Sequence, residues 1–107
     1  MDINEIRDVV LAWAKTEELL LKVWLFGSRV RGTERSDSDI DIAVEVQTLA
    51  GDSSAWTTFM FEKPRLQKAI EALLPMEVQL EWYGGPEETP TIHAALFERS
   101  MLIYERA

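Results

Sequence analysis

Apolar residues at Ile3, Ile6, Val9, Val10 and Trp13 recur with the period of one helix face. Asp2 and Glu5 stand at capping-box spacing just ahead of that run, so a helix is predicted from the N-terminus to near Glu17. Residues 21–26 read as a short apolar strand ending in Val23-Trp24-Leu25-Phe26, followed by a turn or one-turn helix over Gly27 to Gly32 and a polar loop over Thr33 to Ser38. Residues 39–46 alternate. Ile40, Ile42, Val44 and Val46 point one way, and Asp39, Asp41, Ala43 and Glu45 the other, which is the pattern of a half-buried strand.

Beyond a loop at Gln47 to Ala55, a helical region extends to Leu74, with Leu66, Ala69, Ile70, Leu73 and Leu74 as its apolar stripe. Pro64 disfavours helical geometry at Lys63 and predicts a kink or two helices, and Pro75 is the expected stop. Residues 76–83 alternate again, with Met76, Val78, Leu80 and Trp82 on one face and Glu77, Gln79, Glu81 and Tyr83 on the other. An acidic loop at Gly84 to Glu88 leads to a last helix, capped by Thr89 with Pro90 at its first position and running to about Arg99. Met101 to Tyr104 closes the chain as a strand. The predicted fold is α+β, a short mixed sheet flanked by helices in one domain over residues 1–107.

Composition narrows the chemistry. The 107 residues contain no cysteine and one histidine, His93, which excludes thiolate sites, disulfides and a multi-histidine metal site within one chain. No apolar run approaches ~20 residues, and Met1 to Glu5 lacks the blocks of a signal peptide, so a cytoplasmic protein without membrane contact is expected. A net charge of −8 opposes general nucleic-acid binding. The cluster Arg29, Arg31 and Arg35 suits one small anionic ligand instead.

The most informative stretch is Gly27-Ser28, ten residues, then Asp39-Ile40-Asp41, set between two apolar strands. Residues two apart on a strand share a face, with alpha carbons ~6.6 Å apart. Their carboxylates can converge on ions ~3.5–4 Å apart, and without a cation would repel by ~3 kcal/mol at a separation of ~6 Å. Mg2+ relieves that repulsion and completes its shell with phosphate oxygens. At the other end, Gly27 permits close backbone approach and Ser28 adds a donor for phosphate. The plain alternative is a tight turn and a solvated acidic strand edge, a pattern that chance would produce in about one chain per thousand of this length.

Gly27-Ser28, the ten-residue spacing and Asp39-Ile40-Asp41 resemble the signature of the DNA polymerase β-like nucleotidyltransferase superfamily. Leu25-Phe26-Gly27-Ser28, Ser36-Asp37-Ser38-Asp39 and the closing strand are similar to the minimal nucleotidyltransferases (MNT), many of which are antitoxins paired with HEPN-type toxins. The resemblance implies transfer of a nucleoside monophosphate, AMP from ATP in the toxin-pairing branch, onto a hydroxyl, there a tyrosine of the HEPN partner. It implies that Gly27 and Ser28 contact the phosphates of the nucleotide and that Asp39 and Asp41 hold Mg2+; Arg29 and Arg31, beside the turn, are expected from their charge to join in nucleotide binding. Homo- or hetero-oligomers are left open.

One departure bears on catalysis. The family's third carboxylate, on a later strand, falls at Gln79 in this chain, and Glu81, one pleat repeat further on the same face, is the expected catalytic and metal-holding substitute. A chain without that third carboxylate would be a weak or inactive nucleotide-binding module that neutralises a partner by direct binding. His93 is expected to be a surface or packing residue, and Trp13, Trp24 and Trp82 are expected to pack. Trp56, Phe59 and Phe61 cannot share one helix face, so part of that cluster is expected at the surface or buried by a kink.

Overall fold

The computed structural model describes all 107 residues. The elements run α1 (Ile3–Thr16), β1 (Leu20–Phe26), α2 (Ser28–Arg31), β2 (Ile40–Val46), α3 (Ala55–Glu71), β3 (Val78–Trp82), α4 (Pro90–Glu98) and β4 (Ser100–Glu105). The four strands form one sheet in the order β3-β2-β1-β4. β1 is antiparallel to both β2 and β4, whereas β2 and β3 are parallel with α3 as the crossover, so the sheet is mixed as expected.

Helix α1 starts at the capping box, with the Glu5 N–H donating to Asp2 Oδ1 at 2.9 Å. Its Ile6, Val10 and Trp13 pack against one face of the sheet, where Ile40, Ile42, Val44, Val78 and Leu80 are also buried. Leu66 and Ile70 bring α3 onto the same core. The alternation in β2 thus sends four aliphatic side chains inward and leaves Asp41 and Glu45 half-buried on the opposite face.

The structure corrects several expectations. Asp39 lies just before β2 rather than within it. Pro64 neither breaks nor divides α3, which is a single 17-residue helix. Pro64 is exposed, and the Met60 carbonyl that loses its N–H partner lies on an exposed residue where water can replace it. The helix ends at Glu71 rather than Leu74, and Leu73 is 52% exposed while Leu74 is buried. β3 is shorter than 76–83. Thr89 makes no side-chain cap on α4; its hydroxyl accepts from the Gly84 N–H and donates to the Gly85 carbonyl, closing the preceding loop. Phe59 is buried, whereas Phe61 is 75% exposed.

α4 covers part of the sheet face opposite the core. Tyr83 meets Trp24 edge-on at 5.1 Å and stacks with His93 at 6.0 Å, and its hydroxyl shares a 2.8 Å hydrogen bond with His93 Nδ1. His93 is therefore a packing residue, as expected.

Candidate functional site

β1 delivers Phe26 opposite Asp41, so the turn that begins at Gly27 sits directly against the Asp41 carboxylate. Gly27 is buried and has φ +83°, a region L side chains rarely adopt, and a Cβ built there would fall inside the Asp41 carboxyl group. Glycine is thus required twice, by conformation and by space. Ser28 opens the single turn of α2, and Gly32, which caps its C-terminus, is left-handed at φ +77°. The turn and the strand aspartate, fourteen residues apart in the chain, form one continuous surface.

Two carboxylates converge there. The Asp41 carboxyl is held above its ordinary value, first by burial, then by the negative charges of Asp39 and Glu81; the Arg31 charge partly offsets them. Such a site carries unrelieved negative charge and fits a divalent cation that takes one or two carboxylates and fills its shell with phosphate oxygens.

The parallel register places Gln79 beside Asp41, and Glu81 beside Ala43. Gln79, where the resemblance implies a third carboxylate, thus stands next to Asp41, and its Nε2 donates to Asp39 Oδ2 at 3.1 Å. Sequence reasoning identified Gln79 as a departure and missed this bond, because the register between two strands nearly forty residues apart is not a local property. Glu81 shares the face of Asp41 and influences its charge, but Asp39, Asp41 and Glu81 do not close into a three-ligand cluster.

The arginines divide. Arg31 is exposed and close enough to act on Asp41. Arg29 is tied to the loop, donating through Nε and Nη2 to the Ser38 carbonyl at 3.0 and 2.7 Å, and it thereby braces the segment that leads into Asp39. With Arg35 it lines a cavity of about 480 Å³ that also touches Met1, Pro75 and Met76 but none of the carboxylates of the pair. The structure thus brings Gly27, Ser28, Asp39 and Asp41 together, with Arg31 and Glu81 at their margins, and gives Arg29 a bracing contact.

The family model described as polymerase beta, nucleotidyltransferase matches residues 10–107. Two solved structures share the fold. One is a toxin–antitoxin with AMP-PNP, 19% identical, with a TM-score of 0.67 over 94% of this chain and 73% of that one. The other is the toxin–antitoxin MntA–HpeT carrying a double aspartate-to-glutamate mutation, 17% identical, with a TM-score of 0.66 over the same shares. No curated protein matches the sequence, and no helix is long and apolar enough to cross a membrane.

Proposed function

This chain belongs to the polymerase β nucleotidyltransferase family, and from that membership we propose that it moves a nucleoside monophosphate, AMP from ATP, onto a hydroxyl of a protein partner as the antitoxin of a cytoplasmic HEPN/MNT pair. The observation that carries the chemistry is the contact of the Gly27 turn with Asp41, which sets a turn without a side chain of its own against a carboxylate pressed by the charges of Asp39 and Glu81. The toxin partner is supported by the fold shared with two toxin–antitoxin structures, one of them with an ATP analogue.

Asp39 and Asp41 are the residues that would hold Mg2+, which when bound supplies charge neutralisation on the phosphates. Gly27 and Ser28 cradle the phosphates that leave as pyrophosphate, through backbone N–H groups of the turn and the Ser28 hydroxyl at the start of α2. Arg31 offsets the charge that develops on them. Glu81, set one pleat repeat beyond Gln79, is the acidic residue on the side from which the acceptor approaches, and is assigned the proton of the attacking hydroxyl.

The test is incubation of the partner co-purified with this chain with ATP and Mg2+, followed by intact-mass measurement. The partner should gain mass in steps of one AMP, and Asp39→Asn should abolish the gain. Full neutralisation of the partner with no mass change in the wild type would sink the transferase function and leave a binding module.

That second reading has an observation in its favour, the neutral Gln79 bonded to Asp39. It yields a separate prediction. Gln79→Glu sets a third carboxylate in register beside Asp41, so Mn2+ or Mg2+ measured calorimetrically without nucleotide should bind about tenfold more tightly. An unchanged metal affinity would mean that position 79 does not face the ion.

A further inference from the structure

Every one of the 22 buried residues lies at or before Leu80. The α4–β4 unit beyond it is nonetheless rich in apolar side chains. Ile92, Leu96, Met101, Ile103 and Tyr104 are only half-buried, while Phe97 is 87% and Leu102 51% exposed. A helix and strand of this composition with no buried residue lack the cover that the rest of the chain has. β4 also ends the sheet, so one of its edges carries unpaired N–H and C=O groups. Its ladder with β1 is regular from Ser100 to Leu102 and shifts once before Tyr104, and the strand has no proline or lysine to turn away a further strand.

Charge selects what covers it. Residues 90–107 hold two acids, Glu98 and Glu105, and two bases, Arg99 and Arg106, so they are neutral and the whole net charge of −8 falls on residues 1–89. Two copies of so acidic a chain repel, and this unit adds nothing to that repulsion. The pattern is also its own complement. A glutamate–arginine pair stands at each end of β4, Glu98-Arg99 just before it and Glu105-Arg106 at its end. A two-fold axis at Leu102 runs two β4 strands antiparallel and brings the first pair of one copy to the second pair of the other, carboxylates within reach of guanidinium groups. Glu98 and Arg99 form no ion pair within the chain. The opposite edge of the sheet, β3, fails this test: Glu77 and Glu81 lie along it with no base between Met76 and Tyr83, so a two-fold there would oppose like charges.

We propose that a second copy of this chain covers the unit, in a two-fold dimer that pairs β4 with β4 and encloses Phe97 and Leu102. The two four-stranded sheets become one of eight strands. In it the two β2 strands stand five strand spacings apart, about 24 Å, so both candidate sites stay open. The dimer requires neither nucleotide nor transfer, and it stands or falls apart from the transferase function.

Sedimentation equilibrium of the chain alone should give twice the 12.3 kDa monomer mass at high concentration and fall toward the monomer on dilution. Leu102→Lys places a charge on the edge at an already exposed position; its circular dichroism should match wild type, and association should weaken about tenfold or more. Phe61→Lys, at an exposed position on α3, should leave association unchanged. The chain has no cysteine, so Leu102→Cys supplies one thiol per copy, and mild oxidation should cross-link the dimer through it, whereas Phe61→Cys should stay unlinked. A wild type that sediments as a monomer at every concentration overturns the proposal, as does a dimer that tolerates Leu102→Lys or cross-links no better through residue 102 than through residue 61. A monomer whose β4 amides gain protection from hydrogen exchange only in complex with a co-purified partner would assign the face to that partner and equally overturn the dimer.

Discussion

Asp41→Asn is expected to abolish nucleotidyl transfer, by about a thousandfold or more, and at the same time to make the ligand-free protein more stable. The loss follows from removing one of two carboxylates on which the site depends, a change of roughly 4 kcal/mol in transition-state stabilisation. The gain follows from the charge balance of the empty fold. Burial and the charges of Asp39 and Glu81 hold the Asp41 carboxyl above its ordinary value. The folded state therefore binds the Asp41 proton more readily than the unfolded chain does. Its contribution to stability is fully present below the ordinary carboxylate range, is lost as pH rises through the raised value, and at neutral pH is a penalty. An asparagine carries no such penalty. Melting at neutral pH without metal should rise rather than fall, by no more than a few degrees because solvent screens a half-exposed carboxylate. The dependence of wild-type stability on pH in the acidic range should flatten in the variant. A variant that melts lower than wild type at neutral pH without metal would show that the carboxylate is structurally satisfied, contrary to the electrostatics described here.

Gly27→Ala attacks the same contact from the other side. The alanine must adopt φ +83°, and its methyl must share space with the Asp41 carboxyl. Strain in this glycine-dominated region costs ~1–3 kcal/mol, and displacing the carboxylate adds to it. A destabilisation of about 2–4 kcal/mol is expected, seen as a fall of roughly 10–20 °C in melting temperature, with transfer activity lost even at temperatures where the variant is folded. The coupling separates steric from conformational cost. In an Asp41→Ala background the two nearest atoms of the carboxyl group are gone and only the residue 41 Cβ remains, at 3.1 Å, so Gly27→Ala should cost less there, by about 1 kcal/mol or more, leaving mainly the φ strain. Equal costs in both backgrounds would mean that glycine serves only the turn. Together the two substitutions describe a site whose parts oppose the stability of the fold that presents them, a trade found where function needs strained geometry or unpaired charge.

Much of this was legible from residue order. The alternation of Ile40, Ile42, Val44 and Val46 against Asp41 and Glu45 is a local property of a pleated strand, and it assigned the faces of β2 correctly. Asp2 and Glu5 announced the start of α1 for the same reason, since a capping box is completed within one turn. The errors lie where a long-range partner or solvent decided. Pro64 is accommodated because it lies on the exposed side of α3, and Leu73 is exposed because α3 ends before a further turn can carry it to the core. Thr89 had the composition of a cap, but the Gly84 and Gly85 backbone claimed its hydroxyl.

The candidate site divides along the same line. Residue order alone supplied the kinds of group, a glycine that opens a turn, a serine, and two carboxylates on one strand face, because these depend on periodicities of two or three residues. Only the folded chain decided their arrangement. The antiparallel pairing of β1 and β2 set Gly27 against Asp41, and the parallel register of β2 and β3 chose Gln79 rather than Glu81 as the neighbour of Asp41. Register is set by how whole strands bury their apolar faces, and a shift of one residue would have turned those side chains into the core. The question of catalysis is therefore one of register, with the neutral amide of Gln79 beside Asp41 and the carboxylate of Glu81 one repeat beyond it.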